Sequence, residues 1–296
     1  MRLVTYNIQY SLGKDGRYDL SRIAEAIDGA DIIALQEVER GWRRTGYADQ
    51  PRELARLLGQ RYFWVYGPAF DIDRSTRNPD GTVTNRRRQF GPMLLSRTPI
   101  LSSRLHLLPK LESLSHLNFD NGALEAVIDS GCGALRVYSL HLGYLSRRER
   151  LMQIETLHEI QHRSQSTGGV WCGPDAAIEE WGEGEPPPPE PVHTIMMGDF
   201  NAEPDTSEYE QLTGERNLRV GPVVHADRFI DVWRAVAGDD QECVTQQKGM
   251  QADPSHDRRV DYCFVSPGLK SRIKDAWVDT DALGSDHQPC WFEIDL

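Results

Sequence analysis

The sequence predicts a mixed α/β fold assembled from two sheet-forming halves. Three features carry that expectation. Apolar strand-like runs alternate with amphipathic helical stretches. Two of those runs, DIIALQE at 31–37 and TIMMGDFN at 194–201, end in acid and amide residues. No short period repeats along the chain, which argues against a solenoid. At 296 residues the chain is long for a domain but within the range of one α/β unit, so a single domain over 1–296 is expected, with loop insertions at 71–89 and 164–192.

Taken in order, residues 2–9 alternate Leu3, Thr5 and Asn7 against Val4, Tyr6 and Ile8, the period of a strand. Asp19 stands where an N-cap belongs, and Leu20, Ile23, Ala24 and Ile27 then share a helical face. The run 31–38 is apolar with little alternation, as in a strand covered on both faces, and its polar tail, Gln36 and Glu37, is expected to emerge at an edge. Pro51 opens and Gly59 closes a short helix. Strand patterns recur at 62–66, 93–95, 124–128 and 135–142.

The tetrapeptide S-R-R-E at 146–149 is a capping-box pattern ahead of Leu151, Ile154, Leu157 and Ile160 at near-helical spacing. From 164 to 192 the composition turns to Gly, Glu and Pro, with consecutive prolines at 186–189, and predicts a long loop. An apolar strand follows and opens into polar residues at GDFN, with Asp205 and Glu208 expected to cap a short helix. Strands are expected again at 260–265 and 289–294.

Composition narrows the function. Hydrophobic residues at 39% and charged residues at 26% belong to a globular chain, and no apolar run approaches the ~18 residues a membrane helix needs. The start MRLVTYNIQY is strand-like and not a basic leader, so the expected location is cytoplasmic. The five cysteines are scattered without a CxxC pair, which suggests neither a disulfide framework nor a thiolate metal site. A net charge of −12 disfavours long nucleic acid unless cations or a basic patch intervene.

Chemistry-bearing residues cluster at strand ends. Asp199 and Asn201 are two apart, so at the end of an extended segment both project to one face, where they could orient a water and hold a phosphoryl oxygen. The same residues would also serve a plain turn. Glu37 is a hard oxygen donor suited to Mg²⁺ or Mn²⁺, with Asn7 as a neutral partner. In S-D-H, Asp286 and His287 set a carboxylate beside an imidazole. His141 ends an apolar run, and Asp261 sits in an otherwise apolar strand, where an unpaired charge would cost roughly 3–5 kcal/mol and so needs a partner such as a histidine.

The segments TYN at 5–7, LQE at 35–37, LLSRTPI at 94–100, SLHL at 139–142, GDFN at 198–201, RVDY at 259–262 and SDH at 285–287 resemble, in order, the endonuclease/exonuclease/phosphatase superfamily, whose fold is that of deoxyribonuclease I. That resemblance implies a four-layer α/β sandwich, two packed mixed β-sheets flanked by helices, with the site at one edge. It also implies a hydrolase of phosphate esters using one or two Mg²⁺ or Mn²⁺ ions. Glu37 would hold the metal with Asn7 nearby, Asp199 would activate water, Asn201 and His287 would grip the phosphoryl group, and His141 would stabilise its charge. Asp261 would orient a histidine, and Asp286 would support the metal or His287. Gly91, Pro92 and Met93 depart from the GNA that the superfamily places before LLSR.

The superfamily's chemistry does not determine the substrate. His141 resembles the nuclease-I, sphingomyelinase and deadenylase branches, and HDRRVDY lacks the tryptophan of the inositol-phosphatase branch. A small-molecule or lipid-like phosphate ester is the leading expectation, with a nuclease on DNA or RNA and a non-catalytic binding module as alternatives. Arg86, Arg87 and Arg88 could form an anion-binding rim or simply a solvated charged loop, and Trp171 and Trp181 could contact substrate or pin the second insertion to the body.

Overall fold

The computed structural model describes residues 1–173, 182–217, 219–238, 241, 243–247, 255 and 257–296. The chain opens with strand β1 (Arg2–Asn7), helix α1 (Leu20–Ile27) and strand β2 (Ile32–Arg40), and β1 and β2 pair in parallel across that helical crossover. Asp19 caps α1, its side chain accepting from Ser21 N–H. Helix α2 (Gln50–Leu57) and strands β3 (Phe63–Tyr66) and β4 (Phe70–Asp73) follow. The first insertion is ordered: a small hairpin of β5 (Thr76–Arg77) and β6 (Val83–Thr84) leads into β7 (Arg87–Ser96), whose first half pairs antiparallel with β4.

Strands β8 (Ile100–Leu107), β9 (Gly122–Asp129) and β10 (Ala134–His141) begin the second half. Helix α3 (Arg147–Thr167) carries the chain to β11 (Thr194–Asp199), which is parallel to β10. After α4 (Ser207–Thr213) come the short strands β12 (Arg216–Asn217), β13 (Gly221–Pro222) and β14 (Ile230–Asp231), then α5 (Val232–Ala237). Strands β15 (Asp261–Val265), β16 (Ile273–Val278) and β17 (Cys290–Ile294) complete the fold.

Two mixed sheets result. One runs β16-β17-β1-β2-β7-β3 with β4 also on β7, the other β14-β15-β11-β10-β9-β8. The echo between the halves is thus a repeated strand–helix–strand unit: β1-α1-β2 and β10-α3-β11 each form the parallel pair at the middle of a sheet.

Three apolar clusters define four layers. Leu3, Ile32, Ala34, Val137, Ile195, Met197, Cys263, Val265 and Phe292 fill the space between the sheets. Val4, Tyr6, Ile33, Leu35 and Leu95 meet Ile23 and Ile27 of α1 and Leu54 of α2 on one outer face. Tyr138, Leu140, Met196 and Phe264 meet Ile154 and Leu157 of α3 and Leu212 of α4 on the other. Each fully buried Ile or Leu side chain contributes about 1.5–3 kcal/mol. Successive residues therefore point to different layers, which is why the central strands read as unbroken apolar runs.

Several local expectations differ from the structure. Gln36 does not emerge at an edge: it is fully buried between the sheets, its Nε2 donating to Ser139 Oγ at 3.0 Å. Thr206, not Asp205, caps α4, accepting from Tyr209 N–H, while Asp205 adopts a positive φ of 62° and pairs with Arg234. Residues 164–167 still belong to α3, and Trp181 lies outside the described residues. All five cysteines are free thiols, and no helix among the described residues is long and apolar enough to cross a membrane.

Candidate active site

The polar cluster is the place where the inter-sheet core stops being apolar. On the inner face β1 reads Leu3, Thr5, Asn7; β10 reads Val137, Ser139, His141; β11 reads Ile195, Met197, Asp199; and β15, running the other way, reads Val265, Cys263, Asp261. Registers bring those ends level, with His141 opposite Asp199 and Asp199 opposite Asp261. One rung deeper, Thr5, Gln36 and Ser139 close a buried hydrogen-bonded layer beneath the site.

Glu37 reaches the cluster by a different device. Strict alternation would turn it toward the outer helices, but Gln36 and Glu37 together face the single residue Pro92 of β7, and Glu37 takes φ 58°. This is a β-bulge, which re-aims a side chain at the cost of a left-handed residue. Pro92 suits the opposing position because it has no N–H to leave unpaired. The proline in place of the superfamily's asparagine thus coincides with the backbone feature that presents Glu37.

Around Asp199 the contacts are dense. Asn7 Nδ2 donates to Asp199 Oδ2 and to Glu37 Oε1, both at 3.0 Å, and Asn7 Oδ1 accepts from Gln9 N–H. Asn201 N–H donates to Asp199 Oδ1 at 2.8 Å, and Asn201 Nδ2 lies 3.0 Å from His141 Nε2 and donates to Leu142 O. Asn201 is held at φ 48°, a conformation asparagine tolerates better than most residues. His141 Nε2 and His287 Nε2 stand 3.5 and 3.7 Å from Asp199 Oδ2.

His287 is oriented from behind by Asp261, whose Oδ2 lies 2.8 Å from His287 Nδ1. Thr245 Oγ1 accepts from Asp261 N–H, and Ser285 Oγ accepts from His287 N–H while donating to Asn7 O. Burial works to keep the imidazole neutral, but Asp261 and Asp199 outweigh it and push its pKa up to about 10. Burial also raises the Asp261 carboxyl, with the charge and hydrogen bond of His287 opposing.

A cleft of about 790 Å³ opens over this cluster. Glu37, His141, Asp199, Asn201, Asp286 and His287 form its polar floor, and Asn7 and Asp261 lie behind them. Among the described residues no Lys or Arg makes an ion pair with Glu37, Asp199 or Asp286. Asp199, Asp261 and His287 also offer ligand atoms within 4.8 Å of one another, but Asp261 and His287 are already paired, which leaves the half-buried Glu37 side as the freer position for a cation.

The chain matches the model of the Endonuclease/Exonuclease/phosphatase family over residues 4–287. It belongs to that family. Members of the endonuclease/exonuclease/phosphatase family are hydrolases of phosphate esters. A family protein from Beutenbergia cavernae DSM 12333 is similar at 20% identity and TM-score 0.63, covering 100% of this chain and 71% of that one. One from Leptotrichia buccalis C-1013-b shares 17% identity at TM-score 0.65, with all of both chains covered. A mannosyl-6-phosphatase of Bacteroides thetaiotaomicron VPI-5482 shares 13% identity at TM-score 0.61, again with all of both chains covered. No curated protein sequence matches the chain.

Within this family fold, the residues expected at the rim separate. Arg88 lines the cleft, whereas Arg87 binds Asp71 and Arg86 is exposed outside it. Trp171 follows the C-terminal end of α3 and is not among the cleft's lining residues. Residues that sequence reasoning passed over include Gln246, whose amide lies 3.1 Å from His287 Nε2, and Arg44, Trp42, Phe70, Phe90, Phe119 and Tyr144 along one wall. Phe70 and Phe90 did leave a signal, the two-residue alternation of F-D-I-D and R-R-Q-F at 70–73 and 87–90. Gln246 left none, since it sits outside any periodic segment.

Proposed function

We propose that the protein is a divalent-metal-dependent phosphoesterase that hydrolyses a small phosphodiester or phosphomonoester by in-line attack of water. The observation that carries this reading is the convergence on Asp199 of Asn7, Asn201, His141 and His287, from four separate segments, at the floor of one cleft.

The donor set fits a hard cation. Glu37, Asp199 and Asp286 face the cleft, and among the described residues no Lys or Arg pairs with them, although His141 and His287 stand beside Asp199; Mg²⁺ or Mn²⁺, as one ion or two, takes such oxygens while keeping water positions open. Glu37 and Asp286 would hold it, with Asn7 beside them. When bound, such an ion neutralises charge on phosphoryl oxygens and lowers the pKa of attacking water.

The chain's own residues account for the rest. Asp199, fixed through both oxygens by Asn7 and Asn201, holds the water and takes its proton. Protonated His287 donates through Nε2 to a phosphoryl oxygen, and Asn201 and His141 supply further contacts as charge builds there. Asp261 acts through His287, keeping Nε2 turned toward the cleft.

A nuclease is the second reading, favoured by Arg44, Arg88 and Arg258 on the cleft and opposed by the net charge of −12. The mannosyl-6-phosphatase relative supports a small monoester as equally open. A binding module without catalysis would not need this set of polar groups together. Bis(4-nitrophenyl) phosphate, 4-nitrophenyl phosphate, short DNA and RNA, and sphingomyelin, each assayed with Mg²⁺ or Mn²⁺, separate these readings. Turnover is expected on a small ester, and Asp199→Ala and His287→Ala should abolish it with the circular dichroism spectrum intact. Wild-type rates from either variant would sink the assignment.

A further inference from the structure

The first insertion builds the wall of the cleft, and its composition reads as a recognition surface. Strand β4 and the first half of β7 form an antiparallel ribbon in which Phe70 pairs with Phe90 and Ile72 with Arg88. Those residues therefore share one face, and all of them line the cleft. The opposite face carries Asp71 and Gln89, and Asp71 accepts from both Arg87 Nε and Gln89 Nε2.

Trp42 extends the apolar face. Its indole N–H donates to Gln89 O at 2.9 Å, and its ring lies 5.6 Å from that of Phe70. Phe119 meets Phe90 edge-on at 5.6 Å. A fixed shelf of aromatic rings is thus set across from the acidic floor.

Arg88 is the charge on this shelf. Its guanidinium lies 5.5 Å from the Trp42 ring centroid, and its Nε is buried with no hydrogen-bond partner. The other cleft arginines are occupied, Arg44 by Glu39 at 2.7 Å and Arg258 by Glu203 at 3.9 Å. Among the described residues no carboxylate pairs with Arg88. A partly buried cation with an unmet donor, flanked by rings, is a place for an anion attached to a flat group.

Building on the phosphoesterase reading, we infer that the ribbon selects esters whose non-leaving group is a ring bearing a second anionic substituent. The ring stacks on Trp42, Phe70 and Phe90, and the anion pairs with Arg88. The acidic floor and Arg88 sort substrates by charge position: the scissile phosphate goes to the metal side and the second anion to the ribbon.

Calorimetric binding of methylphosphonate, phenylphosphonate and 4-carboxyphenylphosphonate in the presence of Mg²⁺ tests this without requiring turnover. Affinity is expected to rise about tenfold from methyl to phenyl and about tenfold again with the carboxylate. Arg88→Gln should erase the second step and Arg88→Lys retain most of it, while Phe70→Ala should erase the first. Equal affinities for the three ligands, or a carboxylate preference that survives in Arg88→Gln, would overturn the inference. Failure to hydrolyse the 4-nitrophenyl esters would count against the phosphoesterase reading alone, because the binding preferences are read independently of it.

Discussion

Gly198 shows how little freedom the residues of this site have. Its φ is 154°, and a Cβ placed there would sit 1.9 Å from Leu140 O on the neighbouring strand. Gly198→Ala is expected to destabilise the protein by about 3 kcal/mol, read as a lower urea midpoint at unchanged slope. Asp261 has the reverse character, since it matters through His287 rather than through space. Asp261→Asn should leave a folded protein whose kcat falls by about 10²- to 10⁴-fold with KM much less affected. A rate within a few-fold of wild type would remove Asp261 from its positioning role. Asn7 and Asp199 were legible in the sequence because each ends a strand-like run, and Asp261 because it is a charge in an otherwise apolar strand. Glu37 was legible as a residue but not as a geometry. Its phase points the wrong way, and only the bulge opposite Pro92 corrects it.

At the scale of elements, helix α3 illustrates what a motif does and does not specify. Ser146 caps it as S-R-R-E implies, accepting from Glu149 N–H at 3.4 Å. Glu149 does not return the bond: its buried Oε2 accepts from Leu111 N–H and Asn118 Nδ2, anchoring the loop that brings Leu117 and Phe119 to the cleft. No local pattern could reveal that, because the partners are about 30 to 40 positions away in sequence. Farther along α3, His158 docks on α4 through Nε2, 2.8 Å from Gln211 O. Burial lowers its pKa below the ordinary 6.5, with Arg228 and His162 adding to the effect and the Gln211 carbonyl and Asp227 opposing it. The folded state thus prefers neutral His158, so its contribution is present above pH 6.5 and is lost as pH falls through and below that value. Thermal melts between pH 7.5 and 5 should show a shallower decline for His158→Gln than for wild type, and identical slopes would refute this. The 71–89 segment holds a similar lesson. Its charge run suggested a solvated loop, and one face of it is that, while alternation puts Phe70, Ile72, Arg88 and Phe90 on the other.

For the whole molecule, the two repeated strand–helix–strand units explain why so scattered a set of residues meets. Each unit contributes parallel strands whose C-terminal ends reach the same edge, and packing the sheets face to face puts Asn7 and Glu37 beside His141 and Asp199. A mixed α/β fold of two sheet-forming halves was legible from apolar runs and helical faces, and the four layers only through the family resemblance. The pairing of β17 with β1 and of β15 with β11 was not, since antiparallel partners far along the chain leave no mark on local sequence. On the proposed reading electrostatics also acts at this scale, because Glu37 and Asp286 line the cleft and pair with no Lys or Arg among the described residues. Mg²⁺ at about a hundred times its dissociation constant should stabilise the protein by about 2.7 kcal/mol, and Glu37→Gln should lose most of that gain.

On the proposed function, turnover and divalent-cation binding occur at one site built around Glu37 and Asp199. Metal-stripped protein titrated with Mn²⁺, with bound ion followed by electron paramagnetic resonance and hydrolysis of bis(4-nitrophenyl) phosphate in the same samples, tests this. Occupancy and rate should rise together in the wild type, and Glu37→Gln should displace both curves to much higher Mn²⁺. Hydrolysis by the stripped protein without added metal, or ion binding that Glu37→Gln leaves unchanged, would contradict it.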